Sequence, residues 1–452
     1  MGIITKVSAA VQCLFGKTAE AAAEKSGVIE RKRKFTATTL LQTFVLGFLK
    51  NPKASDEELA QTAAQCGVDV TPQAIEQRHT PKLVAMLKEV FQEGVRVVLG
   101  SDRALAPILE RFTKVKILDG STICLPDSME EEFAGCGGSY DSGKSALKLQ
   151  TELDLRSGAL TIEVEQGRSP DAATPRQQER HGPGSLRITD LGYFNSGVFA
   201  EMAANQEFYL SRLQYGTEVE LRKDDAEGDQ AEPSGVTVSL LPWLEKQPGP
   251  FVDQPIFLGK EKKLACRLIA WRLPEEQANR RRQKLRAETL RKRGCEPSAE
   301  RLAWCDWTIL VTNVPVALAT PEELLILYRA RWQVELLFKR WKSLNLVAVL
   351  SGSTEVRQMV RVWSRLLMSL VQHWLIIASV WGDPTKSLSK VCLAIRDFAG
   401  RLAASLANGS GLEQVIVDLC QALAKTCRRN KRSKPGTFEL LNNPGLLDFC
   451  FT

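Results

Sequence analysis

Two short β runs that each flow straight into an aspartate constrain this chain more than any other feature. Lys114-Val-Lys-Ile-Leu118 leads into Asp119, and Leu186-Arg-Ile-Thr189 leads into Asp190. Short apolar runs bounded by polar residues read as strands, and a carboxylate at the end of a strand points out of the sheet into a crevice. Residues 145–155 and 159–166 read as two further strands joined by an Arg156-Ser-Gly158 turn. Polar, proline-containing sequence fills 168–184; Asn195 caps a helix running to about Asn205, and Phe208–Leu213 is a fifth strand. The order strand, hairpin, connector, strand, helix, strand predicts an α/β fold with a mixed sheet.

The rest of the chain frames this core. Its 452 residues are enough for more than one domain, and 44% hydrophobic with 25% charged residues fits a water-soluble chain with sizeable cores. Five segments are expected: a helical 1–105, a core 106–213, a β-rich 214–303, a second core segment 304–375 and a helical 376–452. Within the first, Ser55-Asp-Glu-Glu opens a short helix, Gly67 breaks it, and Thr71-Pro72 opens a second. This is either a helix-turn-helix that reads DNA through Gln73 and Arg78 or a plain αα-hairpin. Within the β-rich segment, 235–240 and 264–271 are strand-like, and Arg280–Arg293 is a basic helix that is either solvated or lies on DNA. Trp307–Thr312 reads as a strand. The basic run 428–434 is a tail or a DNA contact. Leu366–Trp381 is apolar but holds Gln372 and His373, so it reads as a buried helix and not a membrane span.

Net charge is +7, a modest hint of a polyanionic partner. Eleven scattered cysteines without a C-x-x-C pair fit a reducing cytoplasm, and no secretory signal opens the chain. With only three histidines, a zinc site is not expected.

The third carboxylate comes from a helix that starts near Thr320-Pro321-Glu322-Glu323. Along it, Tyr328, Arg331, Glu335 and Lys342 stand at steps of three, four and seven, on one face of an α-helix. Three carboxylates gathered together repel unless cations neutralise them. Two Mg²⁺ ions, for which Mn²⁺ can substitute, would do so and would clamp an in-line phosphoryl displacement. Asp119, Asp190 and Glu335 are therefore the candidate metal ligands and catalytic residues, with Arg331, Lys339 and Lys342 beside them for phosphates. A solvated helix face with an Arg331–Glu335 pair is the plainer alternative.

The spacing Tyr-x2-Arg-x3-Glu-x6-Lys resembles the signature of bacterial insertion-sequence DDE transposases of the cut-and-paste branch. The contexts Leu118-Asp119-Gly-Ser-Thr122 and Thr189-Asp190-Leu-Gly-Tyr193 are similar to those of that family's two aspartates. The resemblance, over roughly 40–380, implies a ribonuclease-H-like core interrupted by a β-rich insertion. It also implies binding to double-stranded DNA at the element's terminal inverted repeats, nicking, a hairpin intermediate in many members, and joining of the 3′ hydroxyl to target DNA. It makes Tyr328 a phosphate or packing residue and not a nucleophile. It offers Trp307 as a base-stacking residue, against a core tryptophan, and Arg212 as a phosphate contact, against a rim arginine. Joining two ends needs two active sites, so a DNA-bound homodimer is expected, with a nucleoid-associated protein in the cytoplasm. A ribonuclease-H-like nuclease without strand transfer and a non-catalytic DNA-binding derivative are the alternatives.

Overall fold

Among the described residues there are ten strands: β1 Val115–Cys124, β2 Ala146–Asp154, β3 Leu160–Gln166, β4 Leu186–Thr189, β5 Phe208–Arg212, β6 Val219–Arg222, β7 Pro233–Thr237, β8 Phe251–Leu258, β9 Leu264–Arg272 and β10 Trp307–Thr312. The computed structural model describes residues 2–30, 34–102, 104–137, 143–222, 233–260, 263–430 and 434–446. Part of the basic run 428–434 lies outside the described residues. The chain divides into two units, one of Met1–Leu105, Asp119–Pro170 and Trp332–Lys431, the other of Ala106–Leu118, Asp171–Arg331 and Arg432–Thr452. The architecture is α/β with a mixed sheet and helical regions toward both ends of the chain, consistent with the ribonuclease-H-like core that the resemblance implies.

In the second unit the strand order is β1-β4-β5-β10-β9-β8-β6-β7. The joins β1–β4 and β4–β5 are parallel, and every join from β5 onward is antiparallel. A parallel join needs a crossover. The helix Ser196–Ala204 supplies the one from β4 to β5, and the Asn195 side-chain oxygen starts it by accepting from the Gly197 and Val198 amides at 3.0 and 3.2 Å. Among the described residues the inserted β-rich segment forms no sheet of its own. β9 pairs along the second edge of β10, from Trp307↔Arg272 to Thr312↔Arg267, so the insertion extends the sheet that β5 begins. One face of this extension buries Phe199, Tyr209, Leu268, Trp307, Ile309 and Val311 in a common apolar cluster. The helix Pro321–Ala330 opens with a capping box between Thr320 and Glu323, and Arg111 grips the Glu323 carboxylate with two bonds of 2.7 and 2.9 Å.

In the first unit β2 and β3 form an antiparallel hairpin. Its turn reaches Gly158 at φ +77°, where a Cβ would stand 2.5 Å from the Trp381 ring, so both conformation and space demand glycine. The helix Glu355–Ser379 is the hub of this unit. It packs against Pro81–Gly94, Ala37–Lys50, Ile3–Cys13 and Leu412–Lys425. The apolar stretch after Leu366 is buried, and among the described residues no helix is long and apolar enough to cross a membrane. Near the start, Ser55 and Glu58 cap the helix Asp56–Gln65 reciprocally at 3.2 and 2.8 Å, and Gly67 turns the chain at φ +78°. Thr71 then caps the five-residue helix Pro72–Glu76.

Candidate active site

The parallel pairing of β1 with β4 sets the first two carboxylates. Its last register partners are Leu118 and Thr189, and the residue that follows each of them is an aspartate. Asp119 is half-buried and does not end its strand as the short apolar run suggested, because β1 continues to Cys124. Its Oδ1 accepts from the Gly120 amide at 2.9 Å. Asp190 leaves β4 in an extended conformation and heads the short turn Leu191–Tyr193. The Tyr328 hydroxyl donates to Asp190 Oδ1 at 3.4 Å. Burial first, and then the Asp190 charge, hold the Tyr328 phenol well above the usual tyrosine range, so it remains a donor. Among the described residues no lysine or arginine forms an ion pair with Asp190.

The signature helix is not one regular cylinder. Pro321–Ala330 is α-helical, and Arg331 marks a turn while keeping φ −50° and ψ −34°. Its guanidinium stands 6.0 Å from the centre of the Tyr328 ring. Glu335 lies half-buried in the first turn of the helix Trp332–Lys339. Residues Arg340–Leu344 then wind as a π-helix. A π turn holds more residues than an α turn, so Lys342 is rotated away from the position an unbroken α-helix would give it. Burial pushes the Lys342 ammonium below the usual lysine range.

The sequence profile of the family described as Transposase DDE domain matches residues 110–371. That span holds both aspartates, the sheet and the whole signature helix. The chain belongs to the DDE transposases of bacterial insertion sequences. It is 29% identical over 361 residues to the transposase for insertion sequence element IS231B of Bacillus thuringiensis subsp. berliner, covering 77% of this chain and 74% of that one. It is 24% identical over 375 residues to the transposase for insertion sequence element IS1151 of Clostridium perfringens, covering 79% and 77%. A shorter match of 79 residues, 42% identical and covering 18% and 21%, is to a putative transposase InsL for insertion sequence element IS186A of Escherichia coli K12. Membership implies a divalent metal ion. Carboxylate oxygens such as those of Asp119, Asp190 and Glu335 are hard donors that suit Mg²⁺ or Mn²⁺ better than zinc.

The other side chains singled out in the transposase sequence differ in exposure. Lys339 and Gln73 are exposed, while Arg212 and Arg78 are half-buried, the latter with its guanidinium 5.4 Å from the Phe35 ring centre. Trp307 is 3% exposed and packs in the apolar cluster of the sheet, which leaves no open ring face. Trp332, which lies outside the residues that the signature spacing picks out, is 53% exposed. Arg281 was likewise lost within its basic run. It is turned inward, donating to the Trp307 carbonyl at 3.1 Å and to Thr308 Oγ1 at 3.0 Å. Its spacing of three from Ala278 and four from Leu285 was the available signal for an inner position.

Proposed function

We propose that Asp119, Asp190 and Glu335 are the catalytic carboxylates of this transposase and hold two Mg²⁺ ions, with Mn²⁺ able to replace them. The register of β1 with β4 carries the reading: partners Leu118 and Thr189 are each followed by an aspartate, so two parallel strands deliver carboxylates at the same end. Bound there, the ions would supply water activation and charge stabilisation to an in-line displacement at phosphorus.

The protein's own part is positioning. Tyr328 orients Asp190 through its hydroxyl. Arg212, Arg331, Lys339 and Lys342 hold phosphates around the reacting bond, and the exposed Trp332 offers a face on which a base can stack. The pair of short helices at 55–78 reads the terminal inverted repeats through Gln73 and Arg78. The chain nicks each end, then uses the freed 3′ hydroxyl to attack DNA, forming a hairpin at the element end or joining target DNA. Two chains act together on two ends, which the mass of the DNA-bound complex tests: one chain per pair of ends would refute it.

The decisive experiment is Glu335→Gln in the full chain. End binding should persist, while nicking and the joining of a pre-cleaved end should vanish in both Mg²⁺ and Mn²⁺. Normal nicking by this variant removes the glutamate from the site. A wild-type protein that nicks but never joins a pre-cleaved end is a nuclease and not a joining enzyme.

A further inference from the structure

The helix Glu275–Arg293, between β9 and β10, carries eight arginines and lysines. Several of them are paired with acids: Arg280 with Glu276, Arg282 with Glu275 and Asp306, and Lys292 with Glu288. Arg281 is different. Its two bonds go to a carbonyl and a hydroxyl on β10, and among the described residues no carboxylate partners it. Such bonds orient a guanidinium without cancelling its charge.

The sheet register places a second arginine beside it. Arg212 on β5 is the register partner of Leu310 on β10. Trp307, Ile309 and Val311 turn into the apolar cluster, so Thr308 and Leu310 face the opposite side of the sheet, together with Arg212. Thr308 and Arg212 are thus diagonal cross-strand neighbours, roughly 7–8 Å apart and within reach of long side chains. Arg281, bonded to Thr308, lies on that same side. Burial first, and then the Arg212 charge, push the Arg281 guanidinium down to about 10, while Cys305 and then Tyr328 oppose the shift. Arg212 likewise forms no ion pair among the described residues. Two like charges held together in a half-buried place cost energy unless an anion offsets them.

We propose that Arg281 and Arg212 form a two-arginine clamp for one phosphodiester of the DNA strand that runs past Tyr328 and Asp190. The phosphate oxygens would take the free N–H groups of both guanidinium forks, a geometry that lysine cannot reproduce. Arg281 is a positioning residue in this arrangement. It sets the strand's register next to the carboxylates and takes no part in the displacement. The clamp rests on the reading of Asp190 as part of the active site, but its test is one of binding. Persistent nicking by Asp190→Asn would overturn that reading and leave the binding result to stand by itself.

The probe is a duplex carrying the terminal sequence of the chain's own insertion sequence, with methylphosphonates placed singly along each strand. Kd is measured against salt for the full-length protein. In wild type, one neutralised phosphate near the cleavage point should weaken binding roughly tenfold. Arg281→Gln should lower the salt slope by about one, and should be indifferent to that same methylphosphonate, as should Arg212→Gln. Arg281→Lys, which keeps the charge and is the safer variant for folding, should retain the slope but show a smaller methylphosphonate penalty. An Arg281→Gln protein with the wild-type slope and methylphosphonate profile, or an Arg281→Lys protein with the full penalty, would overturn the clamp.

Discussion

Replacing Tyr328 by phenylalanine separates two roles that a tyrosine beside a DNA-cleaving site can have. As a donor, Tyr328 contributes one hydrogen bond to the Asp190 carboxylate. Such bonds to charged groups stabilise by about 1.5–3 kcal/mol when short. This one, at 3.4 Å, is longer than the usual O–H···O range of about 2.5–3.0 Å, so about 1–1.5 kcal/mol is the reasonable figure. If that energy is used to hold Asp190 in the transition state, nicking should slow roughly five- to twelvefold. As a nucleophile, by contrast, Tyr328 would be indispensable, and its loss would cost a thousandfold or more. The burial of the phenol and the neighbouring carboxylate both disfavour the phenolate that attack would need. The assay is single-turnover nicking of pre-bound end DNA in Mg²⁺, with denaturing gels run in parallel for a protein–DNA adduct. A covalent adduct in wild type, or a loss near a thousandfold in Tyr328→Phe, would refute the donor role. An unchanged rate would show that the bond positions nothing.

Two further outcomes concern stability. The buried His373 donates from Nε2 to the Gly158 carbonyl at 2.8 Å, and burial pushes its imidazole down to about 4. As pH falls, the unfolded chain takes up this proton near the free value of about 6.5 while the folded chain resists until about 4. Stability is therefore full above about 6.5 and declines from there to about 4, by on the order of 3 kcal/mol. Urea unfolding of His373→Gln should show a flatter dependence in that window, and an identical dependence would refute the assignment. The buried Arg365 donates to the carbonyls of Pro52, Leu346 and Val349 at 3.0, 3.1 and 2.8 Å, holding the segment where Leu346 sits at φ +54°. Arg365→Leu orphans these acceptors and should cost about 3 kcal/mol in chemical denaturation, and a cost below about 1 kcal/mol would show that the segment does not depend on it.

What could be read from the residues alone was everything governed by near neighbours along the chain. The Ser55–Glu58 and Thr320–Glu323 caps, the Gly158 turn and the Asn195 start follow from rules that reach only three or four residues, and each is present. So is the inward burial of the apolar stretch after Leu366, because Gln372 and His373 made a membrane span unsuitable. The aspartates at 119 and 190 were visible because a short apolar run betrays a strand and the next residue its exit. Alternation could not tell how far β1 continues, since its residues after Asp119 are mixed in polarity and are held by pairing.

The remaining features were decided by contacts between segments distant in sequence. Which edge of β10 meets β9 cannot be seen in either strand, because alternation names a strand's two faces but not its neighbour. That pairing turns the insertion into an extension of the sheet, buries Trp307, and puts Arg212 and Thr308 on one side of it. The π turn at Arg340–Leu344 likewise escapes a reading built on the α-helical period, since no residue in Arg-Trp-Lys-Ser-Leu requires it. Arg281 is the clearest case. In the sequence it is one cation among eight, and only its bonds to β10 give it a direction, because a guanidinium's function depends on which charges it is folded against.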